Sequence, residues 1–177
     1  MKINRYILHR IYYSFLNKFL KRRPKNISYA LGISSKIDKE NNLHIPMIDY
    51  DINDFEIVYF DIIKLIKKFK LHDCFVYKTR KGFHAKFPYD LMDWDLAKKI
   101  IYSSKADWRF KSLADEYGRV VLRLAGKYKK LDITPFMIIK SPYQLTETQK
   151  EMGMNIILLQ NSFMELHSIF PKKILLK

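Results

Sequence analysis

The spacing of apolar residues changes period between positions 47 and 69, and that change limits what the chain can fold into. In "MIDYDIND", residues 47–54, apolar and acidic side chains alternate, as they do along a strand. From "DFEIVYFDIIKLIKKFK" onward, Phe55, Val58, Ile62, Leu65, Ile66 and Phe69 recur on one helical face. A strand thus runs into a helix, and three aspartates crowd the junction. Asp49 and Asp51 share one face of the strand, about 6–7 Å apart along it, with Ile48 and Tyr50 on the other. Carboxylates this close need a cation between them, or one of them takes up a proton. Two ordinary roles compete with that reading: Asp51 can cap the helix that starts near Phe55, and Asp49 can pair with a lysine.

Other elements follow in order. "ISYALGISSKID" and "NNLHIPMIDYDI" read as a hairpin around a Lys-Glu-Asn-Asn turn. "CFVYKT" and "FHAKF" are two short strands around "RKG", a tight turn attributed to Gly82. "MDWDLAKKIIYSS" is an amphipathic helix with Asp93 or Asp95 near its start. "RVVLRLAGK" and "KKLDITPFMII" are strands, and the tail is helical with Gly153 as a weak point. Five glycines and six prolines leave little punctuation, so one domain is expected. The fold class is α+β: a split βαβ (RRM-like) antiparallel or mixed sheet with helices on one side, plus N- and C-terminal helices. A basic amphipathic helix is expected over 1–26, the core over 27–140 and a helical tail over 141–177.

Charge narrows the partners. The chain carries 33 Lys and Arg against 18 Asp and Glu, a formal net charge of +15. That excess suits a polyanion, nucleic acid before an anionic membrane surface, although a lysine-rich composition of A+T-rich coding contributes to it. The first 25 residues are broken by Lys2, Arg5, His9, Arg10 and Lys18, which leaves no spanning run, and no membrane partner is expected. The single Cys74 excludes an intramolecular disulfide and a cysteine-based zinc site, and it suits a reducing, cytoplasmic setting.

Two more segments carry candidate chemistry. In "RKGFH", Arg80 and Lys81 lie in the turn, where side chains and free backbone N–H groups can hold phosphate. His84 and Lys86 share a strand face opposite Phe83, Ala85 and Phe87. In "ADEYGRVVLRLAGKYKK", an acid precedes Arg119, Arg123 and Lys127, and the arginines form a stripe on one strand face. Tyr50, Phe83 and Trp108 can stack on bases or fill the core.

An Asp-x-Asp at a strand end, then Gly-x-His on a hairpin, then an acid followed by Arg-Leu and Lys resembles the archaeo-eukaryotic primase superfamily over residues 30–140. The resemblance implies a DNA primase or primase-polymerase, a nucleotidyltransferase that adds nucleotides on single-stranded or primed DNA. It implies two Mg²⁺ or Mn²⁺ ions held by Asp49, Asp51 and Asp115, with Glu116 and Asp132 as alternatives to Asp115. Nucleoside triphosphate falls to Arg80, Lys81, Gly82 and His84, and nucleotide or template to Arg123 and Lys127. A helicase or other replication protein is the implied partner. Two further readings share these features: a non-catalytic nucleic-acid-binding replication protein on the same fold, and a two-metal nuclease.

Overall fold

A computed structural model gives the fold over residues 31–38, 40–125 and 133–169. The expected helix over 1–26, Lys127 and Asp132 lie outside these described residues. The elements are β1 (Leu31–Ser34), β2 (Lys36–Asp38), β3 (Leu43–His44), β4 (Met47–Tyr50), α1 (Phe55–Phe69), β5 (Cys74–Thr79), β6 (Phe83–Lys86), α2 (Trp94–Ser103), α3 (Trp108–Tyr117), β7 (Val121–Ala125), β8 (Ile133–Ile139) and α4 (Glu147–Ile169). The described part is α+β.

The main sheet has four strands in the order β4-β6-β5-β8, and every neighbouring pair is antiparallel. Because β6 lies between them, β4 and β5 run the same way, with α1 as their connection. The long hairpin expected over residues 27–52 does not form. Only its tip survives, as the short β2–β3 pair, while β1 pairs with β7 and β4 with β6. Two local features divert the chain. The Ser35 N–H donates to the Val120 carbonyl, and the Ser35 hydroxyl takes the Val120 N–H, which draws β1 toward β7. Pro46 has no N–H for a ladder, and its carbonyl accepts from Phe87 instead, at 3.0 Å.

Cross-strand partners share a face of a sheet. One face therefore carries Ile48, Tyr50, Val76, Phe83 and Ala85; the other carries Met47, Asp49, Phe75, Tyr77, His84 and Lys86. The apolar face meets α1, whose Val58, Ile62, Leu65 and Ile66 are buried. Removing each of these larger side chains from water stabilises the fold by about 1.5–3 kcal/mol. The buried Tyr50 hydroxyl donates to Asp61 of α1 at 3.0 Å. The α1 N-cap is Asp54, which accepts from the Glu56 N–H, so Asp51 is left free of that structural duty. At the other end Lys70 adopts the left-handed conformation and returns its N–H to Ile66.

α4 approaches from the other side. A Cβ on Gly153 would lie 2.0 Å from Tyr89 Cδ1, and the Tyr89 ring sits 5.9 Å from that of Phe75. Gly153 is thus a close-packed seat rather than a weak point, and the helices are not confined to one side of the sheet. Among the described residues, no helix is long and apolar enough to cross a membrane.

Candidate active site

The β4–β6 register sets Asp49 directly opposite His84, and Nε2 of the imidazole lies 3.5 Å from Asp49 Oδ1. Gly82 fixes that register. A Cβ there would fall 1.8 Å from the Tyr50 carbonyl oxygen and 2.9 Å from the Ile52 nitrogen, so only glycine lets the turn close on the end of β4. Gly82 is needed for this approach, not for a left-handed turn. Its N–H donates to the Thr79 hydroxyl at 2.9 Å, and its carbonyl accepts from the Thr79 N–H. The expectation that this amide is free for phosphate is therefore corrected; the exposed side chains of Arg80 and Lys81 remain for that task.

The electrostatics of the pair are unusual on both sides. His84 is only 5% exposed, and its Nδ1 is buried with no hydrogen-bond partner among the described residues. Burial, then the charges of Lys86 and Arg123, push the imidazole down to about 3. At neutral pH it is uncharged, so its contact with Asp49 is polar rather than ionic. The Asp49 carboxyl is pushed up to about 6 by burial first, then by Asp51 and, more weakly, by Asp107, while Arg123 opposes them. Asp49 thus feels the charges of Asp51, Arg123 and Asp107, and His84 that of Arg123. Lys86, 1% exposed, is pushed down to about 7 by burial, and its Nζ lies 4.4 Å from the centroid of the Tyr77 ring. β7, which carries the exposed Arg123, touches β4.

Asp115 goes elsewhere. It lies on α3, where Lys98 Nζ of α2 meets its Oδ1 at 2.5 Å and the Tyr102 hydroxyl donates to Oδ2. Those bonds, Lys98 first, hold its carboxyl below the usual carboxylate range. Seven residues of helix, about 10 Å of rise, separate it from the start of α3. Glu116, beside it, is exposed at the same end of α3. The acid whose charge reaches Asp49 is Asp107, the α3 N-cap, which accepts from the N–H groups of Arg109 and Phe110. Sequence reasoning passed over it by treating this segment as the lead-in to a strand. The available signal was an aspartate followed by Phe110 and Ala114 at helical spacing. Asp61 helps to place this helix: its Oδ2 takes the Tyr50 hydroxyl and also the Lys105 N–H, at 2.7 Å. Tyr50 and Phe83 are core residues, whereas Trp108 is exposed.

Among the described residues, no three His, Cys, Asp or Glu side chains are grouped so as to hold a metal ion. Asp49 and Asp51 fit one hard divalent cation, which takes one or two carboxylates and fills its shell with water and substrate phosphates. Among the described residues, which do not include Asp132, no third carboxylate is grouped with them. No protein-family model, curated protein or solved structure matches the chain.

Proposed function

We propose that the protein is a template-directed nucleotidyltransferase of the primase-polymerase type, acting on single-stranded or primed DNA with Mg²⁺ or Mn²⁺. The observation that carries this reading is the cross-strand placement of Asp49 against His84, with Asp51 beyond it and Arg123 acting on both. The split β-α-β unit of β4, α1 and β5 around β6 suits the same reading. So do the order of the three short motifs and the net charge of +15.

Asp49 and Asp51 would hold the divalent ion. When bound, that ion supplies charge neutralisation at the triphosphate and acidifies a primer hydroxyl. The neutral His84 offers a single N–H to a phosphate oxygen, which a cationic imidazole would do at a greater cost of burial. Arg80 and Lys81 stand at the turn beside Gly82, where their mobile cations can meet phosphate. Arg123 offsets the acids and orients whatever anion enters. Little bond-making falls to the protein, so the rate comes from positioning and from fixed charge.

The test is incubation with a single-stranded template, Mg²⁺ or Mn²⁺ and labelled nucleotides. The Asp49→Ala/Asp51→Ala variant should lose incorporation while keeping DNA binding; incorporation equal to wild type in that variant overturns the proposal. One observation favours the non-catalytic nucleic-acid-binding reading: among the described residues, no three metal-ligating side chains stand together. Binding that falls steeply with salt and no metal-dependent incorporation by wild type would select it. Shortened template in place of extended primer would select a nuclease.

A further inference from the structure

Trp108 is the most exposed of the large apolar side chains, at 69%, and it begins α3 directly after Asp107. An aromatic ring in that position contributes nothing to the core, which α3 reaches through Phe110 and Ala114. Its immediate neighbour in space is a cation: the Arg109 guanidinium lies 5.4 Å from the ring centroid. The start of this helix is not loosely placed. Lys105 is bonded to Asp61, Asp61 to Tyr50, and Tyr50 sits between Asp49 and Asp51 in sequence.

We infer that Trp108, with Arg109 at its edge, is a stacking platform for a base of single-stranded nucleic acid whose backbone runs past Arg123 and the Asp49–Asp51 pair. The chemistry that this surface fits is specific to that ligand. A flat apolar face takes a nucleobase of any identity, and a guanidinium beside the ring adds charge attraction to a phosphate or to the base itself. A duplex keeps its bases stacked on each other and offers no free π-face. The exposed Leu113 and Tyr117 of the same helix line a separate hollow with Val121, without Trp108, so the indole stands between charged neighbours, narrower than the apolar patch that a protein partner needs. The strong positive charge of the chain complements the backbone. This inference rests on the proposed function for the direction of the strand through the acids, and on exposure and geometry alone for the stack.

The experiment uses the full chain and a fluorescein-labelled oligothymidylate of about 15 nucleotides, followed by anisotropy. Trp108→Ala should weaken binding about 5- to 150-fold, the range for loss of one stacked base, while Trp108→Phe should keep most of the affinity. The slope of log Kd against log salt should not change, because no phosphate contact is removed. A duplex of the same length should bind equally well to both Trp108 variants and to wild type. Affinity of Trp108→Ala for the single strand within twofold of wild type overturns the inference, as does equal weakening by Trp108→Phe. The two proposals separate cleanly. Asp49-dependent incorporation with unaltered binding by Trp108→Ala sinks the stack alone; no incorporation together with weakened binding by Trp108→Ala sinks the transferase alone.

Discussion

Two histidine–aspartate pairs sit among the described residues, and they are built to opposite standards. In the first, His72 Nδ1 and Asp90 Oδ1 are 2.6 Å apart, the His72 N–H donates to Asp90 Oδ2 at 2.9 Å, and Nε2 meets the Gln144 carbonyl at 3.3 Å. Every polar atom of that imidazole is used, and the pair fastens the end of α1, the loop before α2 and the approach to α4. Burial pushes the Asp90 carboxyl up, and its bonds to His72 pull it back. In the second, His84 stands 3.5 Å from Asp49, more deeply buried, with Nδ1 left unpaired. A buried polar atom without a partner costs about 1–3 kcal/mol. The closed pair is accounted for by structure alone, and the open one is the pair that the proposed function uses.

The largest effect expected concerns the open pair. Asp49→Ala/Asp51→Ala should lower nucleotide incorporation at least ~10³-fold, since both carboxylates act on the same charge. Asp90→Ala, by contrast, should lower the urea-unfolding free energy by about 2–3 kcal/mol, having removed two hydrogen bonds from buried partners. If the Asp49 variant lost as much stability, the contrast between the pairs would collapse. Smaller is a pH effect. Because the Asp49 carboxyl ionises at about 6, Mn²⁺ affinity should fall about tenfold for each unit below that value as a proton competes for the oxygens. Calorimetric titrations across the range would register it, and a flat profile would remove Asp49 from the cation site.

The smallest effect concerns stability. The folded chain holds a proton on Asp49 up to about pH 6, whereas the unfolded chain releases it near its ordinary value of 3.8. Stability from this group is therefore present at low pH, declines through that window and stays lost above it. Asp49→Asn should stabilise the protein by about 1 kcal/mol at neutral pH. That is less than the full linkage value, because the carboxylate is partly exposed to screening solvent. The gain should vanish below the ordinary carboxylate range, which paired thermal melts of wild type and variant would resolve.

What the sequence revealed was local. Alternation set Asp49 and Asp51 on one strand face, and helical spacing marked α1, because both depend on neighbours a few residues away. The hairpin of β5 and β6 was legible in the same way. Pairing over long separations was not: nothing near residues 31–34 specifies β7 as partner, and the extended hairpin looked equally good until Ser35 and Pro46 were placed. The cap at the start of α3 went unread for a related reason. Reading "ADEYGRVV" toward the following strand hid the helix that begins at Trp108, and with it the cap at Asp107. Trp108 and Tyr50 were indistinguishable as aromatics; only packing separates a core ring from an outward one.

The link from Tyr50 through Asp61 to Lys105 has a consequence for how such a site changes over generations or at a designer's bench. The phenol points to the face of the sheet opposite Asp49, yet through Asp61 it helps to set the approach to α3. Tyr50→Phe would leave every group on the working surface intact and loosen their mutual alignment. Adjustment of this centre can therefore be made from the rear of the sheet, where no ligand would ever meet the altered atom.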